Sequence, residues 1–180
     1  MTHPLHKIIG DIVEDNKFPN CTIIKDRACG EKTQRIPMFC CIPKSNHTKY
    51  CDVDLLIIKD NKIRVIVEIE EAKINPTQIC GKFLTSALSS YFIHKDFKNV
   101  PIGMDDSVCF IQILDTSKLK VDETSKFKQW KNLETSIMNI LPIKDSKIIK
   151  YNLFYGNISE FKSNKETSEL LITCIKDALK

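Results

Sequence analysis

The segment from Tyr50 to Lys73 constrains the fold most, because apolar residues alternate with other residues through it on both sides of a turn. Alternation with a period of two, bounded by turn residues, is typical of β-strands. The sequence Asp60-Asn61-Lys62 favours the tight turn of a hairpin. Matching the apolar faces across a three-residue loop fixes the register. The pairs predicted in this way are Ile57 with Val65, Leu55 with Val67, and Val53 with Ile69.

The same register collects acidic residues at the open end of the hairpin. Asp54 is expected opposite Glu68, and Asp52 opposite Glu70, with opposed Cβ atoms roughly 5 Å apart. Two like charges about 4 Å apart near a protein surface repel by about 4 kcal/mol before salt screens them. The sequence therefore predicts a cation that compensates these carboxylates.

Length and composition indicate one globular domain over residues 1–180, without a membrane partner. No apolar run approaches the length of a membrane span, and the first residues carry acids too early for a secretory signal, so we expect a cytoplasmic protein. The eight cysteines fit no short disulfide framework and are expected to be reduced. The net charge of +4 does not by itself predict nucleic-acid binding, but positions 17–49 hold seven basic and two acidic residues. Positive flanks around an acidic centre suit a phosphate-backbone substrate.

The order of predicted elements indicates an α/β fold. A mixed central sheet, made of an antiparallel three-strand meander plus a parallel strand, is flanked by helices. Asn75 and Gln78 are placed as a capping box, and Ser163 and Glu166 as another. The expected helices are Pro4–Asn16, a helix from Pro76 that includes Tyr91 and Phe92, Ser125–Leu141, and a C-terminal helix opened by Ser163. The expected strands outside the hairpin are Cys21–Lys25, Arg35–Pro43, Val108–Leu114 and Lys147–Tyr155.

The acidic residues and the strands that carry them resemble the PD-(D/E)xK nucleases. The matching residues are Asp54 in DLLII, and Glu68 and Glu70 in VIVEIE, within a core from about Arg35 to Leu114. Most of that family ends the third strand in Glu-x-Lys. The Glu-Ile-Glu found here is similar to the form in BamHI-like type II restriction endonucleases. The chain departs from the family pattern at Val53, where a proline usually stands, and at position 70, where a lysine usually stands.

The resemblance implies hydrolysis of phosphodiester bonds with Mg²⁺. Such a cation neutralises the phosphate and activates water, and it takes oxygen ligands. Asp54 and Glu68 would hold the metal, and Glu14 on the first helix would complete the shell. Glu70 would orient or deprotonate the attacking water. The catalytic residues implied are thus Asp54, Glu68 and Glu70.

Several assignments stay open in the sequence. Lys73 could supply the missing lysine through Glu71-Ala72-Lys73, although alternation along the strand places Lys73 on the face opposite to Asp54. Lys82 in the next helix could be a displaced cation or a surface residue. Asp52 is either a fourth carboxylate of the site or an edge residue with an arginine partner, and Glu14 could simply be solvated. His3, His6 and His94 are expected at the surface. Four cysteines and one histidine could in principle form a zinc site, but they lack a CxxC spacing, so zinc binding is the less favoured interpretation. These residues are Cys29, Cys40, Cys41, His47 and Cys51.

The expected function is that of a type II restriction enzyme. It would act as a homodimer on a short palindrome of double-stranded DNA, because two-fold protein symmetry matches two-fold DNA. Lys82, Arg35 and Lys49 are the candidates for contacts with DNA. Two alternatives are a structure-specific nuclease of repair or junction resolution, and a non-catalytic binding module on a nuclease fold.

Overall fold

The computed structural model describes residues 3–30, 35–72, 74–119, 124–163 and 165–180. It has eight strands and five α-helices within these ranges. In chain order they are α1 (Pro4–Asp15), β1 (Cys21–Lys25), β2 (Ile36–Phe39), β3 (Lys49–Val53), β4 (Leu55–Lys59), β5 (Lys62–Glu70), α2 (Pro76–Ala87), β6 (Tyr91–Phe92), a 3₁₀ turn (Lys95–Phe97), β7 (Ile102–Asp115), α3 (Thr124–Ile140), β8 (Ile148–Gly156), α4 (Ile158–Ser163) and α5 (Lys165–Ala178).

The strands form a mixed sheet, which confirms the predicted α/β class. β1, β4 and β5 are antiparallel neighbours, and β7 and β8 continue the sheet in parallel pairing with β5 and β7 respectively. A smaller antiparallel part contains β3, β2, β6 and the first residues of β7. The prediction of a three-strand meander was therefore wrong in one strand, the one that pairs with the hairpin at β4. β1 lies beside β4, whereas β2, expected there, pairs with β3 and β6.

The turn of the β4–β5 hairpin determines its register. Asp60 and Asn61 both have positive φ angles, of 50° and 59°, as a type I′ turn requires, and Lys59 lies opposite Lys62. The turn thus has two residues rather than three, and a bulge near Ile58 absorbs the difference. The predicted pairs of Ile57 with Val65 and of Leu55 with Val67 are confirmed as a result.

The hairpin ends sooner than the alternation predicts, because the chain breaks at Asp54. The Asp54 carboxylate accepts a hydrogen bond from the Ile69 backbone N–H at 2.7 Å, where a backbone carbonyl would stand in a continuing ladder. Val53 pairs with Ile36 of β2, and Asp52 lies opposite Pro37. The predicted pairs of Val53 with Ile69 and of Asp52 with Glu70 were therefore wrong.

Helices cover both faces of the main sheet and produce two apolar layers. One layer contains alternate residues of β4, β5 and β7 packed against α2 and α3; the other contains the residues between them, packed against α1, α4 and α5. The first includes Leu56, Ile66, Phe110, Leu114, Ile79, Phe83, Trp130 and Ile137. The second includes Leu55, Val65, Val67, Ile111, Leu5, Ile9, Val13, Phe161 and Leu171.

Several other boundaries differ from the sequence prediction, among them the end of β2, which lies at Phe39 instead of Pro43. Helix α2 ends at Ala87, and Tyr91 and Phe92 form β6, since they find backbone partners in both β2 and β7. Strand β7 begins at Ile102 instead of residue 108 because it pairs there with β6. The C-terminal helix is divided into α4 and α5, and Ser163 ends α4. Asn157 and Glu160 form a capping box that opens α4, with backbone-to-side-chain bonds of 2.6 and 3.0 Å.

Candidate functional site

Three carboxylates meet where the hairpin breaks. Asp54 lies between β3 and β4, and Glu68 and Glu70 end β5 on the sheet face that α2 covers. Glu68 is fully buried, Glu70 is 4% exposed, and the Asp54 side chain is 14% exposed. Placing so much acid in the interior costs free energy unless cations or hydrogen bonds compensate it.

Helix α2 brings two side chains to these acids. Its start is fixed by Asn75, whose side chain accepts a hydrogen bond from the Gln78 N–H at 2.9 Å, as predicted for the N-cap. Gln78 and Lys82 are four residues apart and so project on one side of the helix. The Lys82 Nζ lies 2.7 Å from Glu68 Oε2 and 3.8 Å from Glu70 Oε1. The Gln78 amide donates to Glu70, so this side chain contributes to the acidic site.

The electrostatics of the cluster follow from burial and mutual repulsion. Burial, and then the charge of Asp54, raise the pKa of Glu68 well above its ordinary value. Burial also raises the pKa of Glu70 to about 7, although Lys82 opposes the shift. Burial alone would lower the pKa of Lys82, but the negative charges of Glu68 and Asp54 outweigh it and raise that pKa. Lys82 thus remains a cation and compensates only part of the acidic charge.

Two oxygens in the cluster lack a hydrogen-bond donor. Glu68 Oε1 and Glu70 Oε1 are buried without a hydrogen-bond partner. Buried polar atoms are usually satisfied, so such orphans require an explanation. If Asp54, Glu68 and Glu70 are all ionised, Lys82 alone leaves two negative charges, and Lys82 together with a protonated His6 leaves one. Carboxylate oxygens are ligands that Mg²⁺ prefers. The oxygens of these three residues do not all lie within 4.8 Å of one another, so their side chains must move closer together to hold one ion.

Histidine 6 approaches the cluster from α1, on the other side of Asp54. It is buried, and its Nε2 lies 3.6 Å from Asp54 Oδ2. The expectation that His6 lies at the surface was therefore wrong. Burial by itself would lower the pKa of His6, but the carboxylates of Asp54 and Glu71 outweigh this and raise it. The pKa of Asp54 is lowered, because His6 and Lys82 overcome the effect of burial.

Glu71 fixes the position of α1. Its Oε1 accepts backbone N–H bonds from Leu5 at 2.5 Å and from His6 at 3.0 Å, and so caps the helix. The same Oε1 lies 3.2 Å from His6 Nδ1, and the other carboxylate oxygen, Oε2, lies 3.4 Å from His3 Nδ1. These partners lie more than sixty residues away in sequence, so no local spacing in the sequence indicates them.

The structure does not bring every predicted residue to the cluster. Glu14, proposed as a metal ligand, is 60% exposed and pairs with Lys25 at 2.5 Å. It lies eight residues beyond His6 on α1, about 12 Å along the helix axis. Asp52 pairs with Lys49 at 2.6 Å, so its partner is a lysine and not an arginine. Lys73 lies outside the described residues.

The remaining candidates divide in the same way. Lys82 belongs to the site itself. Arg35 is exposed and precedes Ile36, which pairs with Val53, so Arg35 lies level with Asp54 at the same end of the sheet.

The zinc site considered for the cysteines is not assembled. All eight cysteines are free, as expected, and the group of three metal-ligating side chains found among the described residues is His3, His6 and Glu71.

Comparison with family models, with curated proteins and with solved structures finds no match to this chain. The chemistry of the site is therefore argued from its own geometry. No helix in the described parts of the chain combines the length and the apolar character needed to cross a bilayer.

Proposed function

We propose that the protein is a Mg²⁺-dependent endonuclease that hydrolyses phosphodiester bonds of double-stranded DNA. The observation that carries the proposal is the burial of Asp54, Glu68 and Glu70 within the electrostatic reach of one lysine, with two carboxylate oxygens that have no hydrogen-bond donor. Residues that stabilise a fold seldom leave buried acids uncompensated. A metal-dependent hydrolase needs such a set of oxygen ligands when the metal binds.

Each side chain has a defined part in this proposal. Asp54 and Glu68 would hold the cation, which when bound supplies charge neutralisation and a more acidic water. Glu70, hydrogen-bonded by Gln78, would orient the attacking water and accept its proton, and its pKa of about 7 suits a general base at neutral pH. Lys82 stabilises negative charge on the phosphate and takes the place of the lysine that the resemblance leads one to expect at position 70.

The DNA backbone would approach from the side where the cluster reaches solvent. The Lys82 side chain is 32% exposed and marks this opening, and exposed Arg35 lies at the same end of the sheet. Lys49 is occupied by Asp52 and could exchange this partner for a phosphate. Positive side chains near the opening would supply the non-specific part of DNA affinity.

The finer assignment is a type II restriction enzyme that acts as a homodimer on a palindrome. It is distinguished from its two alternatives by the products. A restriction enzyme gives discrete fragments from plasmid DNA, a junction-resolving nuclease cuts branched DNA without fragments of defined sequence, and a binding module retains DNA without metal and without cleavage.

The test is cleavage of supercoiled plasmid and of branched DNA with Mg²⁺, and with EDTA as the metal-free control. Asp54→Asn and Glu68→Gln preserve side-chain volume but weaken metal binding, and we expect them to reduce the rate by about 10³-fold or more. Glu14→Gln is a matched control, because it removes a carboxylate that has its own lysine partner outside the cluster. Cleavage by Asp54→Asn at the rate of the unmodified protein would refute the proposal.

A further inference from the structure

A second set of metal-ligating atoms lies at the start of α1. His3, His6 and Glu71 each offer one ligand atom, and these atoms lie within 4.8 Å of one another. His3 Nδ1 is 3.4 Å from Glu71 Oε2, and His6 Nδ1 is 3.2 Å from Glu71 Oε1. Two imidazoles and one carboxylate form a ligand set that zinc accepts when a fourth position stays open.

The distances suit a metal at the centre of the group. Zinc–nitrogen and zinc–oxygen bonds of about 2.0–2.1 Å in a tetrahedron separate ligand atoms by about 3.4 Å. Each nitrogen–oxygen contact is close to that edge length, although one involves Oε2 of Glu71 and the other Oε1, and one ligand atom from each residue lies within 4.8 Å of the others. His3 and His6 are three residues apart at the start of α1, and their rings meet edge to face with centroids 5.1 Å apart. Little movement is therefore needed to direct both rings at one ion.

The buried ring of His6 carries the second observation. Its Nε2 faces Asp54 Oδ2, while its Nδ1 is buried and makes no hydrogen bond. A metal bound at Nδ1 would lie between this nitrogen and the Glu71 carboxylate and would leave Nε2–H directed at Asp54. A metal-bound histidine that donates its other N–H to a carboxylate is the usual arrangement of protein metal sites.

The site is accessible from solvent. The His3 side chain is 44% exposed. It borders an open cleft of about 900 Å³ that Lys7, Asp26 and Arg27 also line. An ion can enter by this route, and water or an anionic oxygen from the cleft can occupy the open position.

We propose that His3, His6 and Glu71 form a transition-metal site, for zinc or an ion of similar preference, separate from the carboxylate cluster. The two sites are joined through His6, whose Nδ1 binds the metal and whose Nε2–H is held toward Asp54. The metal would fix the orientation of the His6 ring and, through it, the Asp54 side chain. His6 is thus a positioning residue. This proposal does not depend on the proposed nuclease function.

The test uses the full chain without an affinity tag, in which four histidines are the only imidazoles. Co²⁺ replaces zinc as a visible probe, and one equivalent should give the intense absorption of a four- or five-coordinate ion. Zinc added to ¹⁵N-histidine-labelled protein should shift the ring nitrogens of His3 and His6 and leave those of His47 and His94 unchanged.

Variants separate this site from the carboxylate cluster. His3→Ala removes an exposed ligand and should lower Co²⁺ affinity by at least about 100-fold, more than loss of an outer partner costs. Asp54→Asn, which alters the outer partner of His6, should lower it by about 10–100-fold. His47→Ala, at an exposed histidine outside the group, should leave it unchanged. Glu71→Gln keeps an acceptor for the α1 backbone, so loss of Co²⁺ binding with an intact fold would support the proposal.

Three results would overturn it. The first is wild-type Co²⁺ affinity in His3→Ala. The second is loss of binding in Glu68→Gln but not in Glu71→Gln, which would assign the ion to the carboxylate cluster. The third is a His6 ring that keeps both protons in the presence of excess zinc, which would make His6 an imidazolium partner of Asp54 and Glu71.

Discussion

The two ends of the β4–β5 hairpin differ in what their side chains do. Near the turn, opposed apolar pairs such as Leu56 with Ile66 are buried and the backbone ladder continues. At the open end the ladder stops at Asp54, and Glu68 and Glu70 bury charge against α2. Strand β5 thus changes within a few residues from a stabilising element to an element that costs stability. Residues near the turn hold the fold together, whereas residues at the open end bury carboxylates that Lys82 compensates only in part.

The largest expected stability effect is at the apolar end. Leu56 is fully buried and packs in the layer beneath α2, so Leu56→Ala removes buried contacts and leaves a cavity. We expect a loss of about 2–5 kcal/mol in the free energy of unfolding. Urea unfolding with and without Mg²⁺ measures it. A loss below about 0.5 kcal/mol, which is typical of a substitution at the protein surface, would contradict the conclusion that residues near the turn hold the fold together.

Glu70, at the open end, is expected to lower the stability of the metal-free protein by an amount that depends on pH. The pKa of Glu70 is raised from 4.5 to about 7 on folding, so the unfolded chain releases this proton first. Metal-free stability should therefore fall as the pH rises from about 4.5 to about 7, by up to about 3 kcal/mol from this residue. Unfolding at pH 5 and pH 7.5 measures the fall. Glu70→Gln should remove the share of the fall that is due to Glu70 and leave the share due to Glu68, whose pKa is also raised, and Mg²⁺ should offset the fall. An equal fall in Glu70→Gln would show that Glu70 does not contribute.

Lys82 tests how much of the acidic end is compensated by the protein itself. Lys82→Met keeps the aliphatic stem but leaves Glu68 without its cation. Because the lysine is about one-third exposed, we expect a loss of about 2 kcal/mol, less than for a fully buried pair. Combining it with Glu68→Gln should recover most of that loss. A double variant with the sum of the two single effects would show that the residues are not coupled.

The smallest effect concerns the turn. Asn61 has φ of 59°, which asparagine tolerates better than alanine does. Asn61→Ala should cost about 1 kcal/mol, and Asn61→Gly should cost less. Thermal unfolding of the two variants compares them. Equal stability of Asn61→Ala and the unmodified protein would show that alanine adopts this positive φ without a cost.

Local sequence patterns could predict the regular parts of this fold. Alternation gave the paired residues near the turn, and the Asn75-Pro76 sequence gave the start of α2. The break at Asp54 could not be predicted, because it depends on a side-chain bond to Ile69 across the hairpin. Tyr91 and Phe92 fit a helical stripe equally well, and only pairing with β2 and β7 makes them a strand.

The candidate site was predictable in part for the same reason. Glu68 and Glu70 share a face by parity, and Asp54 follows from the register near the turn. The contribution of His6 depends on how α1 packs against β5, and the nearest acid to it in space, Glu71, is 65 residues away in sequence. Gln78 satisfied a capping pattern, yet its side chain turns to Glu70. The position of His6 and the contact between Gln78 and Glu70 both depend on long-range packing, which the spacing of residues along the chain does not predict.

The adjacency of Glu70 and Glu71 limits how the chain can vary in length. Successive strand residues point to opposite sides, so one acid serves the α2 side and the next holds the first helix. Inserting or deleting a single residue within β5 would exchange these two roles at once. Insertions of one residue should therefore be tolerated in the connection before Pro76 and rejected in the strand itself.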